Sequence, residues 1–136
     1  MKIIIIGCSR LGASLANLLA SEGHEVSVID PKAEALERLD HDFPGRTFIG
    51  VGIDLELLAS AGAGEADVLI AVTDRDSANL VAAQVAREKF HIPTVIARAY
   101  DPRAAAAYRN MGLNIFCPTE AGIDYVRALL RGGGGR

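Results

Sequence analysis

The chain has 136 residues, half of them hydrophobic, with 14 Lys and Arg against 17 Asp and Glu and a formal net charge of −3; that length carries one compact core rather than two. The acidic balance, with no run of five basic residues, excludes phosphate-backbone binding as a main task, so no nucleic-acid partner is expected. No apolar run approaches the roughly 18 residues of a membrane span, so no direct insertion is expected, and MKIIIIG is too short for a signal-peptide core and reads as the first strand of a cytoplasmic protein.

Strand-like apolar runs alternate with helical patterns along the whole chain. After a strand at 2–6, Leu11, Leu15, Leu18 and Leu19 fall on one helical stripe that Gly23 ends. A strand at 25–29 is followed by Asp30 as a candidate N-cap and Pro31 at a first helical position, with Leu36 and Leu39 facing inward. A strand at 46–49 leads to a third helix capped by Asp54 and ending near Gly62. A strand at 68–72 precedes DRDSANLVAAQVAREKF, a fourth helix reaching Phe90. A strand at 94–98 is followed by a helix opened by Pro102 and closed at Gly112. A last strand at 114–116 precedes a sixth helix, capped by Thr119 and running over 120–131.

Six β-α units joined by right-handed crossovers specify an α/β fold: a doubly wound, Rossmann-like parallel sheet of six strands in the order 3-2-1-4-5-6, with helices on both faces. The ligand crevice of such a sheet lies between strands 1 and 4. The domain is expected to occupy 1–131, and the Gly-rich tail at 132–136 to be disordered. Cys8 and Cys117 lack C-x-x-C spacing and a nearby His, which argues against a disulfide framework or a zinc site and for small core or loop residues.

The first turn, IIIIGCSRLG, carries the chemistry. Its glycines, Gly7 and Gly12, take the first and last places of G-x-G-x-x-G, the turn that aims backbone N–H groups and a helix N-terminus at a pyrophosphate. Ser9 holds the middle place, where it takes up room but offers one more donor to a phosphate oxygen. Arg10 stands at the helix mouth, either as a phosphate clamp or as an exposed loop arginine. Asp30 lies 18 residues beyond Gly12, close to the roughly 20 expected of the acid that holds a ribose. It caps the second helix, binds the ribose hydroxyls, or both; a carboxylate there disfavours NADP. His24, His41 and His91 sit in turns or helix ends without an obvious nucleophile or carboxylate partner. The six units leave no second domain to bring a substrate to a cofactor, so a nucleotide site without catalytic apparatus points to sensing rather than to an enzyme.

The segments IIIIGCSRLGASLANLLASEGHEVSVID, GEADVLIAVTDRDSANLVAAQVAREKF, VIARAYDP and CPTEAG resemble the RCK N-terminal domain, also called TrkA-N or KTN, of Trk and Ktr potassium uptake regulators and of potassium channels. The resemblance implies a nucleotide (AMP, ADP, ATP, NAD or NADH) held by Gly7, Cys8, Ser9, Arg10, Leu11 and Gly12, with Asp30, Pro31 and Lys32 at the ribose. It implies Gly52 and Ile53 beside the base, Thr73 and Asp74 on the phosphate or ribose side, and Arg98 reaching the phosphates or a subunit contact. It further implies a homodimer or ring whose shape changes with ligand and pulls on a membrane potassium transporter or channel, from a cytoplasmic position at the inner face of the membrane.

Three departures stand out. Ser9 replaces the usual middle glycine. GVGIDLELL follows strand 3 where polar residues are usual, so that Val51 and Ile53 offer an apolar wall for an adenine but no side-chain hydrogen bond at 51. The chain also stops where many relatives continue into a second ligand-binding subdomain, as expected of a stand-alone domain or a fragment of a longer subunit. Ile123, Val126, Leu129 and Leu130 form an apolar face on the last helix, which either packs on the sheet or meets a partner subunit. The rival readings are an NAD-binding subunit of an oxidoreductase whose substrate domain is on another chain, and an interaction module with an empty crevice.

Overall fold

The computed structural model describes residues 1–132. Six parallel strands, β1 (Lys2–Ile6), β2 (Glu25–Asp30), β3 (Arg46–Ile49), β4 (Val68–Ala71), β5 (Thr94–Arg98) and β6 (Asn114–Phe116), pair in the order β3-β2-β1-β4-β5-β6. Five α-helices connect or follow them: α1 (Arg10–Ser21), α2 (Leu55–Ser60), α3 (Asp76–Lys89), α4 (Pro102–Asn110) and α5 (Pro118–Leu130). This is the doubly wound sheet that the alternation predicts. Of the expected tail, 133–136 lie outside the described residues.

The four isoleucines of β1 show why the apolar runs are continuous. Successive strand side chains point to opposite faces. Ile3 and Ile5 therefore join Val26, Val28 and Ile70 under Ala13 and Ala16 of α1, whereas Ile4 and Ile6 join Leu69 and Leu58 under Ala82, Ala83 and Ala86 of α3. All four are at most 4% exposed, and each contributes about 1.5–3 kcal/mol relative to an exposed side chain. Alanines on α1 and α3 let both helices lie close to the sheet.

Two expectations fail locally. The second helix is no α-helix from Pro31 but a short 3-10 helix over Ala33–Arg38, and Asp30 is the last residue of β2 rather than its cap. The carboxylate of Asp30 accepts from the N–H of Lys32 at 2.9 Å, a tight local turn, and from the N–H of Cys8 at 2.9 Å, while Lys32 itself is extended (φ −109°, ψ 117°), so the chain turns after Asp30 without a helix starting at Pro31. The last helix begins at Pro118 with Cys117 in the cap position; Thr119, expected to cap it, donates its hydroxyl to the carbonyl of Tyr100 at 2.9 Å. No residue of α5 is buried, and its apolar face is open, with Ile123 52% and Leu130 81% exposed. Packing onto the sheet is therefore not what that face does in this chain.

Candidate functional site

At the carboxyl ends of β1 and β4 the crossovers leave on opposite sides of the sheet, which opens a crevice there. It encloses about 760 Å³. The β1–α1 turn contributes Gly7, Ser9 and Arg10; the end of β2 and the residues beyond it contribute Asp30, Pro31, Lys32 and Arg38. Gly52 and Ile53 come from the β3–α2 loop, Thr73 and Asp74 from the β4–α3 loop. Cys8, Gly12 and Arg98 do not line the crevice and stand behind it, and the side chain of Leu11 packs on the core instead, so that only its first-turn amide belongs to the helix mouth.

The turn owes its sharpness to Gly7, whose φ is +100° and whose N–H donates to Ile29 at 2.8 Å. A Cβ on Gly7 would meet the amide of Thr73 at 2.7 Å, and one on Gly12 would run into the carbonyl of Gly7. Both glycines thus press the turn against β4 and set α1 down on its own strand. A Cβ on Gly52 would collide with Ile6, which keeps the floor of the crevice low.

Ser9 is in an extended conformation and caps α1: its hydroxyl accepts from the N–H of Gly12 at 3.1 Å and donates to the carbonyl of Val72 at 2.9 Å. A hydroxyl has one proton, and that proton is given to Val72. The extra phosphate donor expected from Ser9 is therefore already engaged. What remains at the helix mouth are the amides of Ser9, Arg10 and Leu11, which find no partner among the described residues, in keeping with the open first turn of a helix. The guanidinium of Arg10, exposed at the same mouth, also has no protein partner among them. Three amide donors, one free cation and the positive end of α1 converge on one spot.

Opposite them stands Asp30. Each of its oxygens accepts one backbone N–H, from Cys8 and from Lys32, which orients the group while leaving each oxygen a further lone pair for a hydroxyl. The lining holds four cations (Arg10, Lys32, Arg38, Arg75) against three carboxylates (Asp30, Glu34, Asp74), a net positive cleft in a net negative chain. Arg38, which sequence reasoning missed, also fixes the turn by donating to the carbonyl of Cys8 at 2.8 Å. It belongs to no motif; its only signal is a basic residue soon after the acid that ends strand 2. Burial pushes the Cys8 thiol up from its ordinary value, the charge of Asp30 adds to this, and Arg38 opposes it. Cys8 is a neutral core thiol, not a nucleophile. None of the three histidines lines the cleft, and His24 bonds the N-terminal amine through Nδ1 at 2.9 Å.

The VTD…D…N and ARAYDP segments perform a task that the sequence does not reveal. Asn79 is fully buried; its Oδ1 accepts from the N–H of Thr73 at 2.8 Å and its hydroxyl at 2.7 Å, and its Nδ2 donates to the carbonyls of Thr73 and Arg98. Arg98, expected at the phosphates or at a subunit contact, is 5% exposed and donates Nη2 to the carbonyls of Val72 and Thr73 at 2.7 and 2.8 Å. Its guanidinium stacks 4.6 Å from the Tyr100 ring centroid and, among the described residues, has no carboxylate partner and leaves Nε without an acceptor. Asp76 accepts the amides of Tyr100 and Asp101. These residues brace the loops behind the cleft.

Among the described residues no cluster of metal-ligating side chains is present, and no helix is long and apolar enough to cross a membrane. A model of the TrkA-N domain matches residues 3–118. The Trk system potassium uptake protein TrkA of Streptomyces coelicolor is 42% identical over 125 residues, which are 92% of this chain and 54% of that protein. The protein of the same name from Halomonas elongata is 37% identical over 96% of this chain and 30% of its own length. The chain thus spans between about a third and a half of these relatives. Among solved structures, the Kef CTD of Shewanella denitrificans in AMP-bound form superposes with a TM-score of 0.80 at 25% identity, covering 99% of this chain and 84% of that one. With its strand order, its crevice and the match over 3–118, the chain belongs to the TrkA-N domain family.

Proposed function

We propose that the chain is a regulatory domain that senses an adenine nucleotide and couples it to the gating of a membrane potassium transporter or channel. The observation that carries this reading is the unspent donor set at the mouth of α1, three amides and the Arg10 guanidinium, facing a carboxylate that is oriented but not saturated. A phosphate on the amides and a ribose on Asp30 use the two ends, and Val51, Ile53 and Val81, which the chain leaves exposed, receive the base. The AMP in the Kef relative and the potassium uptake proteins that the chain resembles support the ligand class and the partner.

Binding acts by population shift: the nucleotide favours whichever pairing geometry it binds better, and only the difference in affinity counts. The open apolar face of α5 supplies the pairing surface of a homodimer or ring, held peripherally at the inner face of the membrane. The domain, over 1–131, performs no chemistry on its ligand; a carboxylate at the ribose disfavours NADP. Thermal shift with AMP, ADP, ATP, NAD and NADH at millimolar concentration, beside light scattering, tests this. At least one ligand raises the melting temperature, and Arg10→Ala and Asp30→Ala each weaken that effect. No stabilisation by any of them refutes the reading.

A further inference from the structure

We infer that the cleft is a mononucleotide site: Ser9 and the braced β4–α3 loop close the half of the crevice that the second nucleotide of a dinucleotide needs. The inference rests on the reading that the cleft holds an adenine nucleotide, and narrows it.

In a sheet of this order a dinucleotide straddles the gap between β1 and β4, with one nucleotide over each half of the sheet and the pyrophosphate crossing at the first turn. In this chain the cavity is one-sided. Its lining comes from the β1–α1 turn, the β2 and β3 ends, the β4–α3 loop and the first turns of α3, and nothing beyond Ala82 contributes among the described residues.

Over β4 and β5 the chain binds itself instead. Arg98 ties the end of β5 to the carbonyls of Val72 and Thr73, Asn79 ties α3 to the carbonyl of Arg98 at 3.0 Å, and Asp76 holds the amides of Tyr100 and Asp101 at 3.0 to 3.3 Å. These bonds draw the loop after β4 onto the loop after β5, across the place where a second nucleoside would lie.

The crossing point is closed as well. The Ser9 hydroxyl reaches from the first turn to the Val72 carbonyl at the end of β4, bridging the gap between β1 and β4. By capping Gly12 it also withdraws that amide from any ligand. A middle glycine would leave open backbone there for a pyrophosphate to cross. The donors that remain, the amides of Ser9, Arg10 and Leu11 with the Arg10 side chain, suit the oxygens of the α-phosphate of a single nucleotide.

Calorimetric titration of the full chain with AMP and with NADH tests this. AMP binds at least about tenfold more tightly, a difference of about 1.4 kcal/mol. Ser9→Gly, which keeps a tolerated residue at the helix cap, narrows the ratio by tightening NADH rather than by weakening AMP. Asp76→Ala, which releases the loop over β5, narrows it independently should the glycine variant fail to fold. NADH binding as tightly as AMP in the unaltered chain overturns the inference while leaving the nucleotide reading intact, as does a ratio that moves in neither variant. Failure of both ligands to bind overturns the nucleotide reading and this inference with it.

Discussion

Asn79→Ala removes the side chain that holds the loop behind the cleft, and its cost can be worked out bond by bond. Two of the groups it serves have other partners: the one proton of the Thr73 hydroxyl can turn to the Arg75 carbonyl at 3.2 Å, and the Thr73 carbonyl accepts also from Arg98 at 2.8 Å. The Thr73 amide and the Arg98 carbonyl lose the side-chain partner described above, and the buried amide side chain leaves a void. An orphaned buried group costs about 1–3 kcal/mol, so the variant is destabilised by about 2–4 kcal/mol once partial access of water to Thr73 and the small cavity are included. With an unfolding entropy of about 2.1 cal/mol/K per residue, a chain of this length loses roughly 3–4 °C per kcal/mol, which places the melting temperature roughly 7–14 °C lower. Differential scanning calorimetry without ligand reads this, and an unchanged urea m-value confirms that the native state has kept its compactness. A drop of less than about 3 °C refutes the reasoning, since it means that the loop re-forms its bonds without Asn79.

Arg98→Met is expected to behave in the opposite way, changing stability by less than about 1 kcal/mol in either direction: Val72 keeps the Ser9 hydroxyl, Thr73 keeps Asn79, and a buried cation without a carboxylate is gone. A loss as large as that of Asn79→Ala in the same calorimeter contradicts this. The raised Cys8 thiol gives the stability curve a definite sign. Above its ordinary value of 9.0 the unfolded chain gives up this proton while the folded chain keeps it, so that its contribution is complete below that pH and is lost as pH rises through the higher folded value. Urea titrations between neutral pH and pH 10.5 should show a shallower alkaline decline in Cys8→Ala; identical slopes would sink the assignment. On α5, Val126→Asp places a charge on the open apolar face and is expected to shift the chain to monomer in light scattering, whereas an oligomer of unchanged mass would mean that the face is not the pairing surface.

The sheet was legible because each strand announces itself twice, by its β-branched run and by the turn or cap that follows. Pro102 and Gly112 bracket α4, and Gly7 and Gly12 bracket the first turn. The 3-10 segment was not legible, because an Asp before a Pro signals a helix cap and a turn at a strand end equally well. Asp30 bonds the Lys32 amide two residues on and, through its other oxygen, the Cys8 amide that the pairing of β1 with β2 brings alongside; Lys32 stays extended, and no local signal shows that. The site shows the same pattern. Gly7, Arg10 and Asp30 follow from spacing, but which hydroxyl protons are already engaged, and which side chains turn inward, does not. Ser9 reads as a donor to a ligand until the Val72 carbonyl is seen beside it. Arg98 reads as a ligand until its burial is seen.

That inward turn gives the bracing residues their meaning. Thr73 lines the cleft, and the loop it begins is held by Asn79 and Asp76 to the stretch around Tyr100. The carbonyl of Tyr100 in turn accepts from Thr119 in the first turn of α5, and Glu120 pairs with Arg109 of α4 at 2.8 Å. The ion pair is partly exposed and weak by itself, so the hydrogen bonds to Tyr100 form the firmer link. The cleft loop and the base of α5 are therefore joined through one residue's backbone. A nucleotide that pulls on Thr73 and Asp74 has a short mechanical route to the helix proposed to pair subunits, and the route needs no movement of the sheet. Whether it carries coupling is decided by differential affinity and not by connection alone. Cutting the Thr119 link, by Thr119→Val, should leave AMP affinity in place while weakening the effect of AMP on oligomer size; loss of affinity itself would place Thr119 in the site rather than on the route from it.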